Sequence, residues 1–178
     1  MEAGRGNLKI VAGLIFGAML LRIVPHPPNF SPALAASLLA GATLGPRLFG
    51  FALPLFGMLA ADGLLEFATG HGFHPHMPVV YGTLMAVVLL GHALGRRRRA
   101  GLLAAASLAG STLFYLVTNF AVWASGTLYP HTPGGLATCY VAALPFFGLA
   151  LLGDLTFTAL LFGTYAYLAK RVGQLSRA

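Results

Sequence analysis

Long apolar runs separated by short polar stretches dominate the sequence. Breaks at prolines, glycines and charged clusters leave six apolar segments, residues 8–24, 31–44, 49–68, 77–94, 102–125 and 149–169. Most of them approach the roughly 20 residues that an α-helix needs to cross the hydrocarbon core of a bilayer. The pattern predicts an all-α fold, in which residues 1–178 form a single bundle of six transmembrane helices.

The last apolar stretch is too long for a single span. At 1.5 Å per residue, residues 136–168 would form a helix of roughly 50 Å, whereas the hydrocarbon core is about 30 Å thick. Pro145 and Gly153 interrupt this stretch. We therefore expect residues 136–144 to form a short surface or re-entrant helix before the last span.

The composition supports a membrane environment. Hydrophobic residues make up 57% of the chain and charged residues 8%, compared with about 25% charged residues in a soluble domain. The first apolar run follows a charged N-terminus, but no small-residue cleavage site follows it, so we expect a retained helix and not a signal peptide. The expected surroundings are a lipid bilayer.

The basic residues indicate topology. The formal net charge of +7 would suit a nucleic-acid partner, but the bases cluster at the ends of apolar segments, above all in the block 96–99. With six spans, this block, Arg47 and both termini share one side, which the positive-inside rule makes cytoplasmic. We predict a multi-pass membrane protein with both termini in the cytoplasm and no nucleic-acid partner.

The opposite side collects histidine and proline. Its three connections read PHPPNFSP (25–32), HGFHPHMP (71–78) and GTLYPHTPGG (126–135). Proline stiffens a connection because its ring fixes φ. We therefore expect these connections to form a stiff surface that covers an outward-facing pocket.

Three acidic residues lie within apolar segments. An ionisable group there costs about 2.5–3.5 kcal/mol on insertion scales, so it needs a partner or a function. Asp62 and Glu66 are four residues apart and share a helix face, and Asp154 lies in the last span. Arg22 is the expected partner of Asp62 or Asp154. A structural ion pair and a binding role both remain compatible with this pattern.

Further polar and aromatic residues complete the predicted solute site. Asn119 needs hydrogen-bond partners in lipid, whereas Trp123 and Tyr129 fit an interfacial aromatic belt equally well. The predicted solute-binding residues are Arg22, His26, Asn29, Asp62, Glu66, Tyr81, Asn119, Trp123, Tyr129, Tyr140 and Asp154.

A metal site is an alternative use of the histidines. His74 and His76 flank Pro75 and would project to the same side of an extended segment, and Cys139 could ligate a soft metal. No HExxH or paired Cys/His spacing accompanies them. No cofactor is predicted, and a transition metal or cobalamin is kept as an alternative at His74, His76 and Cys139.

Neither an enzyme nor a self-contained ATPase is expected. The sequence has no GxxxxGK[ST] loop for nucleotide phosphates and no clear pairing of a nucleophile with a base. The energy for transport would therefore come from a gradient or from a separate partner.

Three stretches resemble a known family. PHPPNFSP, FYLVTNFAVWASGTLYPHTPGGLATCYVAALPFF and LLGDLTFTALLFG are similar to small bacterial membrane proteins of unassigned function that are grouped with transport proteins. That family in turn resembles the substrate-binding S components of energy-coupling factor transporters, and PF…LGDL at 145–155 is similar to the start of the last helix in biotin-type S components.

The resemblance implies a function in uptake. It implies a six-helix binder of a vitamin-like solute or cofactor precursor, an outward pocket, and a separate ATPase module or other membrane subunit that docks on small-residue helix faces. Nickel and cobalt S components carry ligand histidines at the extreme N-terminus, where this chain reads MEAG. Some cobalamin-binding relatives use a cysteine as the cobalt ligand, which invites comparison with Cys139.

Two alternatives stay open at this point. The chain could be a structural or accessory subunit of a membrane protein complex that transports nothing. It could also be a transition-metal or cobalamin binding and uptake protein.

Overall fold

The computed structural model describes residues 2–24, 27–95, 97–126 and 128–175, and every regular element within them is an α-helix. The helices are α1 (Glu2–Leu20), α2 (Ala33–Leu44), α3 (Leu48–Thr69), α4 (Met77–Leu94), α5 (Ala100–Ala124) and α6 (Pro133–Leu175). The prediction of an all-α fold is confirmed.

Within the described ranges, four helices are long and apolar enough to cross a membrane. They are α3, α4, α5 and the part of α6 that spans Pro133–Gln174. The apolar part of α1, Leu8–Leu20, and all of α2 are shorter. Length and composition thus confirm four candidate spans, and the count of six stays a prediction.

Helix α2 lies at the centre of the bundle. Ten of its 12 residues are buried, and it contacts each of the other five helices. Its sequence is apolar on every side, as expected of a helix that is surrounded by others. The largest buried side chains beside it include Ile15 and Met19 of α1 and Val87 of α4.

Two glycines bring α2 and α4 into backbone contact. A Cβ atom at Gly41 of α2 would collide with the carbonyl group of Val88, and one at Gly91 of α4 would collide with the carbonyl group of Leu38. Small residues allow this approach, which is typical of helix pairs in membranes. The pair α2–α4 is therefore a rigid centre around which the other helices pack.

The predicted interruption of the last apolar stretch is wrong. Helix α6 is continuous over 43 residues and contains Pro145, so residues 136–144 form its beginning and not a separate surface or re-entrant helix. Proline removes one helical hydrogen bond, but a membrane helix tolerates this loss when neighbouring groups compensate. The beginning of α6 is held on α5, since Tyr115 donates to the carbonyl oxygen of Tyr140 at 2.6 Å and Tyr140 donates to that of Leu116 at 2.8 Å.

Two sets of polar contacts lie at opposite ends of the bundle. At one end, Arg98 donates to the carbonyl oxygen of Ala42 and lies over the ring of Tyr165. At the other end, Arg22, just after the end of α1, meets Asp62 near the end of α3. We call the first the arginine end and the second the carboxylate end, and the candidate site lies at the carboxylate end.

Candidate functional site

An ion pair joins α1 to α3 at the carboxylate end. Nη2 of Arg22 donates to Oδ1 of Asp62 at 2.6 Å, and the hydroxyl group of Tyr81 donates to Oδ2 at 2.6 Å. Nη1 of Arg22 also reaches Oγ of Ser31 at 3.4 Å. Both oxygens of the buried Asp62 carboxylate thus have strong donors. Of the two partners expected for Arg22, the structure selects Asp62.

Asp154 is the second buried carboxyl group, and it has fewer hydrogen-bond donors than Asp62 and no basic partner among the described residues. It is 6% exposed, and its Oδ2 accepts from Oγ of Ser111 at 2.7 Å. The same Ser111 hydroxyl lies 2.9 Å from the carbonyl oxygen of Ser107, so one proton serves two acceptors. Within the described part of the chain, the salt bridge of Arg22 is with Asp62 and none involves Asp154.

Two adjoining cavities meet at Asp154. The first has a volume of about 200 Å³ and lies between α5 and α6. The second, of about 130 Å³, extends toward Arg22 and Met58. Both are lined by Asn29, Phe114, Ala150 and Asp154. These four residues therefore stand at the junction of the two spaces, with the only charged group among them on Asp154.

The connection after α1 forms one wall of this site. Asn29 adopts a left-handed conformation, with φ of 63°, which asparagine tolerates better than most residues. The next residue, Phe30, packs its ring 5.4 Å from that of Phe157 on α6. Gly153 permits this approach, because a Cβ atom there would lie 3.1 Å from Phe30. The connection is thus fixed against α6 beside Asp154.

Aromatic and amide groups of α5 and α6 line the larger cavity. The rings of Tyr115 and Phe147 lie 4.7 Å apart between their centroids. Asn119 donates from Nδ2 to the carbonyl oxygen of Tyr115 at 2.8 Å. The wall of the cavity therefore combines ring faces with amide and carboxylate oxygens.

Sequence reasoning missed Ser111, Phe114, Tyr115 and Phe147 as lining residues. A signal for two of them was present in the sequence. Asn119 and Trp123 share a face of α5, and continuing that spacing of four backward reaches Tyr115 and Ser111. The polar face of α5 therefore extends over four residues, from Ser111 to Trp123, and not only over the predicted pair Asn119 and Trp123.

Several predicted solute-binding residues lie away from both cavities. Trp123, Tyr129 and Tyr140 do not line either one. Nε1 of Trp123 donates to the carbonyl oxygen of Pro130 at 3.0 Å, and the ring of Trp123 lies 5.4 Å from that of His131. Trp123 and His131 thus stabilise the connection between α5 and α6. His26 lies outside the described residues.

Glu66 holds the connection between α3 and α4. Its Oε2 accepts from the backbone amides of Gly72 at 2.8 Å and Phe73 at 3.0 Å. Gly72 is essential to this arrangement, since a Cβ atom there would collide with the carbonyl oxygen of Asp62. Glu66 therefore acts on the loop, and Tyr81 acts on Asp62, without lining a cavity.

The residues kept for a metal site do not converge. Among the residues that the structure describes, no three His, Cys, Asp or Glu side chains come close enough to hold an ion together. His74 is exposed and His76 is half-buried in its loop. Cys139 is buried and its thiol lies 3.4 Å from the carbonyl oxygen of Asn119, which is the position of a small packed side chain.

A larger cavity, of about 570 Å³, lies at the arginine end between α5 and α6. Apart from Arg98, Thr158 and Tyr165, its lining consists of apolar side chains and glycine. The guanidinium group of Arg98 is already engaged by Ala42 and by the ring of Tyr165. A solute site needs several polar groups that converge on the ligand, so the cavities at Asp154 are the better candidate despite their smaller size.

Comparisons with known proteins identify one family. No curated protein and no solved structure shows significant similarity to this chain. The resemblance to S components is not tested by these comparisons and stays a prediction. A family model described as a family of unknown function, DUF6580, matches residues 4–175. Since the match covers nearly the whole chain, the protein belongs to the family DUF6580.

Proposed function

We propose that this protein binds a small organic solute, vitamin-like or a cofactor precursor, in the cavities around Asp154 and takes part in its uptake. In this proposal the chain crosses the bacterial inner membrane six times, like an S component, with both termini and the arginine end in the cytoplasm. The carboxylate end then faces outward and receives the solute.

The observation that carries the proposal is the position of Asp154. An acidic group inside a membrane helix bundle usually has a functional reason, and this one lines two adjoining cavities without a basic partner among the described residues. The two volumes together reach the lower end of the range of about 300–1,000 Å³ that is typical of ligand sites. A compact solute would therefore fit.

Uptake needs a source of energy outside this chain. The sequence carries no nucleotide-binding loop, so the proposed partner is a gradient or a separate ATPase-bearing module. In this scheme the module docks on the face of α1 that carries Gly13 and Gly17, because both glycines are exposed and have no atom near their Cβ positions.

A ligand screen on a blocked variant tests the proposal. The purified protein is heated with each member of a panel of vitamins, cofactor precursors and metal ions, in parallel with Ala150→Phe. Ala150 lines both cavities and makes no polar contact in the described structure, so phenylalanine fills the space without removing a charge. We expect at least one compound to raise the melting temperature of the wild type and not that of Ala150→Phe.

The same experiment separates transport from an accessory role. If no compound stabilises the wild type, and affinity purification recovers a stable complex with another membrane protein but no ATPase, the solute-binding function is wrong. The alternative of a structural or accessory subunit would then be preferred. A shift by a metal ion alone, lost in a His74→Ala/His76→Ala variant, would favour the metal-binding alternative.

A further inference from the structure

We infer that the solute carries a protonated amine and that Asp154 binds it as the counter-ion. This inference rests on the proposed function, and it adds the chemical class of the substrate. Four features of the site support it: the charge balance, the supply of hydrogen-bond acceptors, the aromatic lining and the way the cavity is closed.

At the carboxylate end, Asp154 and Glu66 have no basic partner among the described residues, and of these two only Asp154 lines the two cavities. Arg22 and Asp62 neutralise each other at 2.6 Å, and Tyr81 supplies the remaining oxygen of Asp62 with a donor. Asp154 has no such partner among the described residues. A buried carboxylate without a cation is costly in a low-dielectric site. Either protonation of the carboxyl group or a bound cation removes this cost, and a monocationic ligand supplies the second.

Several donors that line the larger cavity are already used, whereas Nε of Arg22, in the smaller cavity, has no hydrogen-bond partner. Ser111 shares its single proton between Asp154 and the carbonyl oxygen of Ser107. The amide of Asn119 donates one hydrogen bond to the carbonyl oxygen of Tyr115, and the hydroxyl group of Tyr115 donates to the carbonyl oxygen of Tyr140. An ammonium group has three donors and no acceptor, so it complements what these side chains leave unsatisfied.

The aromatic lining suits a cation as well. Phe114, Tyr115, Phe146 and Phe147 line the same cavity as Asp154. Ring faces attract a desolvated cation electrostatically. A carboxyl group in a cavity that aromatic side chains line therefore favours an organic ammonium ion over an inorganic cation, which would need several oxygen ligands.

The fixed wall limits the size of this amine. Asn29 stands at the junction of the two cavities, and the packing of Phe30 on Gly153 and Phe157 holds the connection close to Asp154. The larger space measures only about 200 Å³. The inferred substrate is therefore a compact amine with one ring or a short chain.

Matched pairs of compounds test the inference. We would measure the binding of 2-phenylethylammonium and 2-phenylethanol, and of cyclohexylammonium and cyclohexanol, to the wild type, Asp154→Asn and Glu66→Gln. Within each pair the molecules are similar in size and differ mainly in charge. The wild type is expected to prefer the ammonium member at least about tenfold, a difference of about 1.4 kcal/mol in binding free energy.

The two variants separate the role of Asp154 from a general effect of acidity. Asp154→Asn should lose the preference, while its melting temperature stays the same or rises, because the substitution removes a buried unpaired charge and keeps the shape of the side chain. Glu66→Gln removes a carboxylate from the same end that lines neither cavity, so the preference should persist in this control.

Two results would overturn the inference. Equal binding of the alcohols by the wild type would mean that Asp154 is present as the neutral acid or faces no ligand. A preference that survives in Asp154→Asn would place the counter-ion elsewhere. If neutral or anionic compounds bind and amines do not, only the inferred class is wrong and the proposed function stands. If nothing of any charge binds, both fail.

Discussion

Two buried carboxyl groups lie at the same end of this bundle in opposite electrostatic surroundings. Asp62 has a guanidinium group on one oxygen and a phenol on the other, whereas Asp154 shares one hydroxyl proton with a backbone carbonyl group. The sequence predicted both as site residues, but it could not tell which of them Arg22 would meet. The pairing of Arg22 with Asp62 depends on how α1 and α3 pack, and no local sequence pattern predicts that packing.

Removing Asp62 should destabilise the protein. In Asp62→Ala the guanidinium group of Arg22 remains in place without its partner, which costs about 3 kcal/mol or more in a buried pair. We expect a clear drop in melting temperature in detergent. The double variant Arg22→Met/Asp62→Leu should recover most of this loss, because it leaves no unpaired charge. Equal instability of the double variant would show that the pair is not what the single substitution disrupts.

Glu66 should prove structural although it was predicted to bind solute. In Glu66→Ala the amides of Gly72 and Phe73 lose their acceptor, and hydrogen bonds to a charged group contribute about 1.5–3 kcal/mol each. Hydrogen exchange at these two amides should therefore accelerate strongly, while solute binding changes little. Unchanged exchange in Glu66→Ala would contradict the assigned role.

At the scale of elements, the sequence predicted five of the six helices well and misjudged the last. Segment 77–94 coincides with α4, because Pro78 in its first turn and Gly95 after its end mark both limits. Pro145 was taken as a break for the same reason, yet α6 passes through it. Two hydrogen bonds between helices hold the beginning of α6 on α5: Tyr115 of α5 donates to the carbonyl oxygen of Tyr140, and Tyr140 of α6 donates to that of Leu116. These contacts between distant parts of the chain outweigh the local preference of proline to end a helix.

The continuity of α6 can be measured directly. Spin labels on Ala137→Cys and Val172→Cys, both exposed positions of α6, in a Cys139→Ala background should lie about 50 Å apart if the helix is continuous at 1.5 Å per residue. A modest bend at Pro145 would shorten this distance by a few ångströms. A distance below about 30 Å would instead support the re-entrant arrangement.

The contact between α2 and α4 gives a second prediction at this scale. Gly91→Ala places a methyl group against the carbonyl group of Leu38, and overpacking of this kind costs about 1–3 kcal/mol. Gly82→Ala on the same helix is the matched control, because it has no atom within 4 Å of its Cβ position and alanine favours a helix. Thermal unfolding should show a loss for the first and no loss for the second; equal effects would exclude the close approach.

At the scale of the whole molecule, composition predicted a helical membrane protein, whereas the orientation inferred from charge stays a prediction. The apolar runs gave an all-α bundle, and the structure places Arg98 at one end and Arg22 with Asp62 at the other. The cavities were beyond prediction from the sequence. They arise because Asn29 and Phe114 approach Ala150 and Asp154 of α6 from two other parts of the chain, and only the packed bundle shows that proximity.

The central claim is that the space around Asp154 holds a small molecule. Native mass spectrometry of the protein extracted gently from its own membrane tests this most directly, with Ala150→Phe prepared in the same way. The account predicts a bound species that adds mass to the wild type, is released as a positively charged organic compound on activation, and is absent from Ala150→Phe. Wild-type and Ala150→Phe spectra with identical bound masses, or with none, would contradict it.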